Sequence, residues 1–178
     1  QIPGYMAGYY PATATRQEGV EVYETPITLT TIKAAITSIT DSTKTVTAAE
    51  SGTIFSLNRA GGITVTLPAA AAGLTYEFHV GTTFTGTMTI NAASSADTLQ
   101  GMITMIDKDE VGGLAALNEN IDTLAFACPA AADHQIVADG DTKGRFIGGM
   151  IKYTCITDSK WVVTGHLFGD GTAATPFT

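Results

Sequence analysis

Cysteine, positive charge and long apolar runs are all scarce in this chain of 178 residues. Its two cysteines, Cys128 and Cys155, are too few for the disulfide framework of a small secreted scaffold, and their separation fits no pair of zinc ligands. We expect both to be buried thiols outside any disulfide, because reduced cysteine behaves as a small hydrophobic residue.

Basic residues number nine against seventeen acidic ones, which gives a formal net charge of −8. A chain of this charge repels both a phosphate backbone and an anionic lipid surface. No apolar run approaches the roughly eighteen residues that a membrane-spanning helix needs. We therefore expect neither nucleic acid nor a membrane as a partner.

The residues that are present favour a folded β protein. Hydrophobic residues make up 44% of the chain and charged residues only 15%, so enough apolar surface exists to offset the entropy cost of folding one domain. Threonine is unusually common, at about thirty residues, and there are 19 glycines. β-branched threonine suits strands and glycine suits turns.

Residues 1–26 show no sustained strand or helix period and predict an extended N-terminal arm. The chain opens at Gln1 without a methionine or the features of a secretory leader, so we expect either a trimmed start or further residues before it. Tyrosine offers a large contact area with a polar tip, as interfaces prefer. The arm residues that we expect to contact another subunit are Tyr5, Met6, Tyr9, Tyr10 and Tyr23.

The body is predicted to span residues 27–178, with a short C-terminal tail. Its first segment, from Ile27 to Ile39, permits either an amphipathic helix or a strand. Beyond it, alternating residues on both sides of a turn at 58–62 predict a β-hairpin between about 53 and 67, and further alternation predicts a strand from Leu74 to Val80.

A second hairpin is predicted around the turn at 158–160, between the segments 145–157 and 161–168. Trp161 begins the later segment, where a tryptophan is more typical of a core than of a sugar-binding platform. Around ten short strands, with no evident internal repeat, predict an all-β, antiparallel β-sandwich or jelly-roll body, with a barrel as the alternative.

Metal chemistry has little support in the sequence. The histidines His79, His134 and His166 are widely spaced, and none has a second histidine four residues away. Residues 139–144 begin like a calcium loop, but Lys143 occupies a ligand position. We predict an acidic turn there and no metal or cofactor, and a looser calcium site stays open.

Catalysis is not expected either. The sequence has no Gly-x-Ser-x-Gly motif, and both cysteines lie among apolar residues, where a thiol pKa rises. Glycoside hydrolysis needs two carboxylates at a set distance, and the sequence cannot show that distance. Folding could bring together a pair from residues such as Glu77, Asp107, Asp109 and Glu110. We predict a protein that is not an enzyme and has no catalytic residues.

Two stretches resemble proteins of tailed bacteriophages. Residues 51–68 and 71–80 resemble a pattern in virion proteins of these phages, and residues 158–165 and 171–177 resemble their closing hairpin and tail, although Ala173 stands where proline is expected. The family indicated is the capsid decoration, or cement, proteins or a related class of virion structural protein.

This resemblance implies a β-sandwich or jelly-roll body, clustered as homotrimers on the outer capsid surface of the virion after synthesis in the host cytoplasm. The expected partner is the major capsid protein, contacted by both termini, which adds Pro176 and Phe177 to the interface candidates. One alternative is a tail or fibre component that binds host glycans. Another is a secreted glycosidase or lyase with a jelly-roll body.

Overall fold

The computed structural model describes residues 15–17, 20–22, 36–107, 123–128, 133–170 and 172–178. Contacts divide the chain into two units, Gln1–Lys33 and Ala34–Thr178. In the first unit, β1 (Thr15–Gln17) and β2 (Val20–Val22) pair antiparallel. The rest of the predicted arm lies outside the described residues, so the extended arm stays a prediction.

The described part of the second unit consists of strands, turns and two short 3-10 helices, at Ala48–Glu50 and Asp141–Lys143, with no α-helix. Its strands are β3 (Ile36–Ile39), β4 (Thr43–Thr45), β5 (Ile54–Leu57), β6 (Ile63–Thr66), β7 (Thr75–Val80), β8 (Met88–Asn91), β9 (Thr98–Asp107), β10 (Thr123–Ala127), β11 (Gln135–Ala138), β12 (Met150–Thr157) and β13 (Lys160–Gly169). The all-β prediction is confirmed. Of the segment that permitted helix or strand, the described end is strand β3.

The strands form two sheets that share one hydrophobic core. The large sheet has seven strands in the order β10-β9-β13-β12-β7-β5-β3, and the small sheet has four in the order β11-β8-β6-β4. Side chains alternate between the core and the outside, as in β7, where every second residue is buried. The arrangement is therefore sandwich-like, with each sheet burying one face.

Both sheets are mixed, so the prediction of a purely antiparallel body is wrong. Strands β3, β5 and β7 run parallel in the large sheet, and β4, β6 and β8 run parallel in the small one. The chain thus alternates between the sheets and stacks each pair of strands on the previous pair, as in a β-solenoid. Within these two sheets, antiparallel pairs appear only later in the chain, among them β12 with β7 and β11 with β8. A jelly roll, which is antiparallel, is not confirmed.

The first predicted hairpin is also wrong. Its two strands exist as β5 and β6, but they belong to different sheets, and the turn between them is a corner. At this corner Gly62 has a φ of +94°, and a Cβ there would lie 2.4 Å from the carbonyl oxygen of Thr87 in the next corner. Side-chain alternation fixes which face of a strand is buried, and it does not identify the strand's partner.

The sequence did not reveal that successive strand pairs stack, because the number of residues between paired strands varies. Ile54 lies 18 positions after its partner Ile36, whereas Glu77 lies 23 positions after Ile54. A repeat of varying length leaves no fixed period to detect.

The second predicted hairpin is confirmed. Strands β12 and β13 pair antiparallel, from Met150 opposite His166 to Thr157 opposite Lys160. Trp161 is fully buried, as predicted, and its ring packs edge-on against Tyr153 at 6.3 Å between centroids. Aromatic contacts of this kind fill the core beneath the large sheet.

The C-terminal tail covers one edge of the small sheet. The backbone N–H of Val137 in β11 donates to the carbonyl oxygen of Pro176 at 2.8 Å, and Phe177 forms an isolated bridge with Ile136. The Phe177 side chain belongs to the core and is 3% exposed. These contacts satisfy polar groups that an edge strand would otherwise present to other chains.

Candidate interaction surface

The outer face of the large sheet carries two ladders of side chains that run across all of its strands. The first ladder consists of Ile36, Ile54, Glu77, Lys152, Thr164, Met102 and Ala127. The second consists of Ser38, Ser56, His79, Met150, His166, Thr104 and Ala125. Every member is exposed or half-buried, whereas the residues between them on β5, β7 and β12 are buried. We call this surface the ladder face.

Apolar side chains form a large share of the ladder face. Ile36 is 69% exposed and Met102 is 49% exposed, at opposite sides of the sheet. Between them, Met150, Val162 and Phe168 are half-buried on β12 and β13. Soluble proteins rarely expose broad apolar surfaces, and those that do commonly use them for contact with a partner.

The charges within this region are of opposite sign and close together. Glu77 and Lys152 are directly opposed in the pairing of β7 with β12. Glu77 also contacts His79, with 2.5 Å between Oε1 and Nε2. A shallow groove of about 170 Å³ adjoins Glu77 and Lys152. Neighbouring charges of opposite sign leave this region with little net charge.

Two of the three histidines, which are far apart in sequence, lie in one ladder. His79 and His166 flank Met150 on adjacent strands, and the His166 ring packs edge-on against Phe168 with 5.6 Å between centroids. No cluster of three potential metal-ligating His, Cys, Asp or Glu residues occurs among the described residues. Sequence reasoning missed this row because it depends on strand register.

The segment that begins like a calcium loop is a turn whose carboxylates contact cations of the same segment. Lys143 Nζ lies 3.3 Å from Asp139 Oδ2, and the Arg145 guanidinium pairs with the Asp141 carboxylate. The charges that would otherwise attract calcium are therefore compensated locally, because each end of the 3-10 helix Asp141–Lys143 pairs with an oppositely charged residue four positions away.

The Cys155 side chain is buried, as predicted, whereas the Cys128 side chain is only half-buried. Burial raises the pKa of the Cys155 thiol, whose Sγ donates to the carbonyl oxygen of Thr157 at 3.0 Å. Cys128 Sγ donates to the carbonyl oxygen of Leu99 at 3.1 Å. A raised pKa keeps the Cys155 thiol protonated and makes it a weak nucleophile.

The residues predicted to mediate contact fall into two groups. Tyr5, Met6, Tyr9, Tyr10 and Tyr23 lie outside the described residues, so their role stays a prediction. Pro176 and Phe177 lie at the edge of the small sheet, where both are buried within their own chain. The Phe177 side chain is part of the core, and a contact of either residue with a partner stays a prediction.

The carboxylates considered for hydrolysis are not brought together by any described contact. Glu77 lies on the ladder face beside His79. Asp109 and Glu110 lie outside the described residues, as does the side chain of Asp107.

No family model, curated protein or solved structure matches this chain. Within the described ranges, no helix is long and apolar enough to cross a membrane.

Proposed function

We propose that this protein is a non-enzymatic virion component that binds the outer surface of a bacteriophage capsid and stabilises the lattice of the major capsid protein. The observation that carries the proposal is the ladder face, on which Met102 and Ile36 are exposed and the charged pair Glu77 and Lys152 is mutually opposed. This surface suits contact with a protein more than capture of a small substrate. The resemblance of residues 51–68, 71–80, 158–165 and 171–177 to phage virion proteins suggests which protein is the partner.

The physical basis of such stabilisation is selective binding. A protein that binds the assembled lattice and not the dissociated subunits shifts the equilibrium towards the assembled shell. A homotrimer, as the resemblance implies, would engage several lattice sites at once and gain affinity by avidity. The close-packed core beneath the ladder face supports this role because its strands present the contact residues in a defined register.

A sedimentation assay tests the ladder face. Shells of the phage that encodes this chain, prepared without the protein, are mixed with the wild type, Met102→Glu or the control Thr45→Glu, which adds the same charge to the outer face of the small sheet. Met102→Glu should weaken binding at least tenfold, about 1.4 kcal/mol. Thr45→Glu should bind as the wild type does. Equal binding of all three proteins would refute the assignment of this face.

The N-terminal arm is proposed as a second attachment. Deletion of residues 1–20 should abolish particle binding and leave the circular dichroism spectrum of the body unchanged. If the truncated protein still decorates empty shells at full occupancy, the arm makes no contribution and the contact lies on the body alone.

A further inference from the structure

A polar groove lies on the outer face of the small sheet. It has a volume of about 520 Å³, and its floor includes Thr64, Thr66, Thr89, Asn91 and Gln135. These residues come from three adjacent strands, since β6 pairs with β8 and β8 pairs with β11. The turn at 92–95 provides one wall. Because the two sheets share one core, this groove and the ladder face point away from each other.

The lining of this groove is polar, and His134 is its one ionisable side chain among the described residues, although the chain carries a net charge of −8. No Asp, Glu, Lys or Arg side chain contributes to it among the described residues. The groove therefore has neither the lysine or arginine that commonly holds a phosphate or carboxylate nor the carboxylates that would hold a metal ion. An uncharged ligand suits it best.

Hydroxyl and amide groups supply the hydrogen-bonding capacity. Threonine hydroxyls and the side-chain amides of Asn91 and Gln135 each offer both a donor and an acceptor. Thr64 is in register with Thr89, and Thr66 with Asn91, so the groups repeat about every 4.8 Å across the strands and about every 6.6 Å along them. A ligand that matches such an array carries several hydroxyl groups on a rigid frame.

Gln135 is positioned by its neighbour at the end of the groove. Its Nε2 lies 3.0 Å from Nε2 of His134, which fixes the amide next to Asn91 on the adjacent strand. The groove volume lies in the range of ligand pockets and can accommodate one or two sugar rings.

We infer that the polar groove binds a neutral, hydroxyl-rich ligand, namely sugar units of an uncharged polysaccharide. The site is independent of lattice binding, because it lies on the opposite side of the body from the ladder face. A particle coated with this protein would thereby present a glycan-binding site to its surroundings.

Affinity electrophoresis tests the inference. The full chain is run in native gels that contain dextran, mannan or galactan, which are neutral, or hyaluronate, which is anionic. At least one neutral polymer should retard the wild type, and hyaluronate should not. The double variant Thr66→Val/Thr89→Val removes two hydroxyls while keeping β-branched strand residues, and it should lower the affinity at least tenfold.

Two further variants make the outcome specific. Thr164→Val is the matched control, because it makes the same change on the ladder face and should leave retardation intact. Asn91→Asp introduces a charge into the groove with almost no change in side-chain size, and it should weaken binding of the neutral polymers. Absence of retardation by all three neutral polymers, equal retardation by hyaluronate, or wild-type behaviour of the double variant would each overturn the inference.

Discussion

The outer faces of the two sheets differ in chemistry although both derive from threonine-rich alternating strands. The ladder face of the large sheet combines exposed Met102 and Ile36 with an opposed pair of charges. The small sheet presents threonine hydroxyls and amides around a groove. Covering an apolar surface with a protein lowers the free energy, because apolar area is removed from water. A hydroxylated groove can instead exchange its hydrogen bonds to water for hydrogen bonds to the hydroxyls of a ligand. The same pattern of buried positions thus supports two different outer surfaces.

The largest expected effect comes from the core that both faces share. Trp161→Ala should lower the free energy of unfolding by about 4 kcal/mol, because the indole is fully buried against Tyr153 and Tyr76. Chemical denaturation measures the change. Shell binding and polysaccharide retardation should both decline in this variant. If only one of the two activities declined, the two outer faces would not depend on the same core.

Two tyrosines of the large sheet should differ in the effect of losing a hydroxyl. The hydroxyl of Tyr76 donates at 3.0 Å to the carbonyl oxygen of Thr47, and so ties the large sheet to the connection that leads from β4 to β5. The hydroxyl of Tyr153 is buried with no hydrogen-bond partner among the described residues, and burial raises the pKa of this phenol well above its usual value.

Tyr76→Phe should therefore cost about 1 kcal/mol of stability, and Tyr153→Phe should leave stability unchanged or higher. Thermal and urea unfolding of the two variants, side by side, measure the difference. A larger loss for Tyr153→Phe would mean that its hydroxyl has a partner within the native fold.

The smallest effect concerns an ion pair beside the small sheet. Lys44 Nζ lies 2.6 Å from Glu50 Oε1, and this contact with Lys44 lowers the pKa of the Glu50 carboxyl from its usual value of 4.5. A carboxyl whose pKa is lower in the folded state stabilises the fold above about pH 4.5, and that contribution disappears as the pH falls through the folded-state pKa.

When the pH is lowered from 5 to 3, the free energy of unfolding should accordingly fall less for Glu50→Gln than for the wild type. The difference between the two proteins should be less than about 1 kcal/mol, because the ion pair is partly exposed. Lys44→Met should reproduce the result, because it removes the partner that lowers the pKa. Urea titrations across this range provide the measurement, and identical pH profiles for all three proteins would contradict the assigned pairing.

Alternation of apolar residues was enough to predict most strands of the body and the side of each that is buried. The hairpin of β12 and β13 was predictable as well, because the turn at 158–160 leaves each strand little choice of partner. For β5 and β6 the same reasoning failed, since the corner at Gly62 sends the chain into the other sheet. Adjacent strands in sequence need not be adjacent in a sheet.

The candidate surfaces were less predictable than the strands. The row of His79, Met150 and His166 joins three strands whose register depends on the whole core. The polar groove likewise requires that β6, β8 and β11 become neighbours. Sequence patterns indicated which residues point outwards, and only the order of the strands shows which outward residues meet.

Methionine footprinting tests the central claim most directly. Mild oxidation of the protein, alone and bound to shells, is followed by mass spectrometry of the peptide that contains Met102, which is 49% exposed on the ladder face. We predict that shell binding strongly slows oxidation of Met102. Equal oxidation rates in the bound and the unbound protein would contradict a capsid contact through this face.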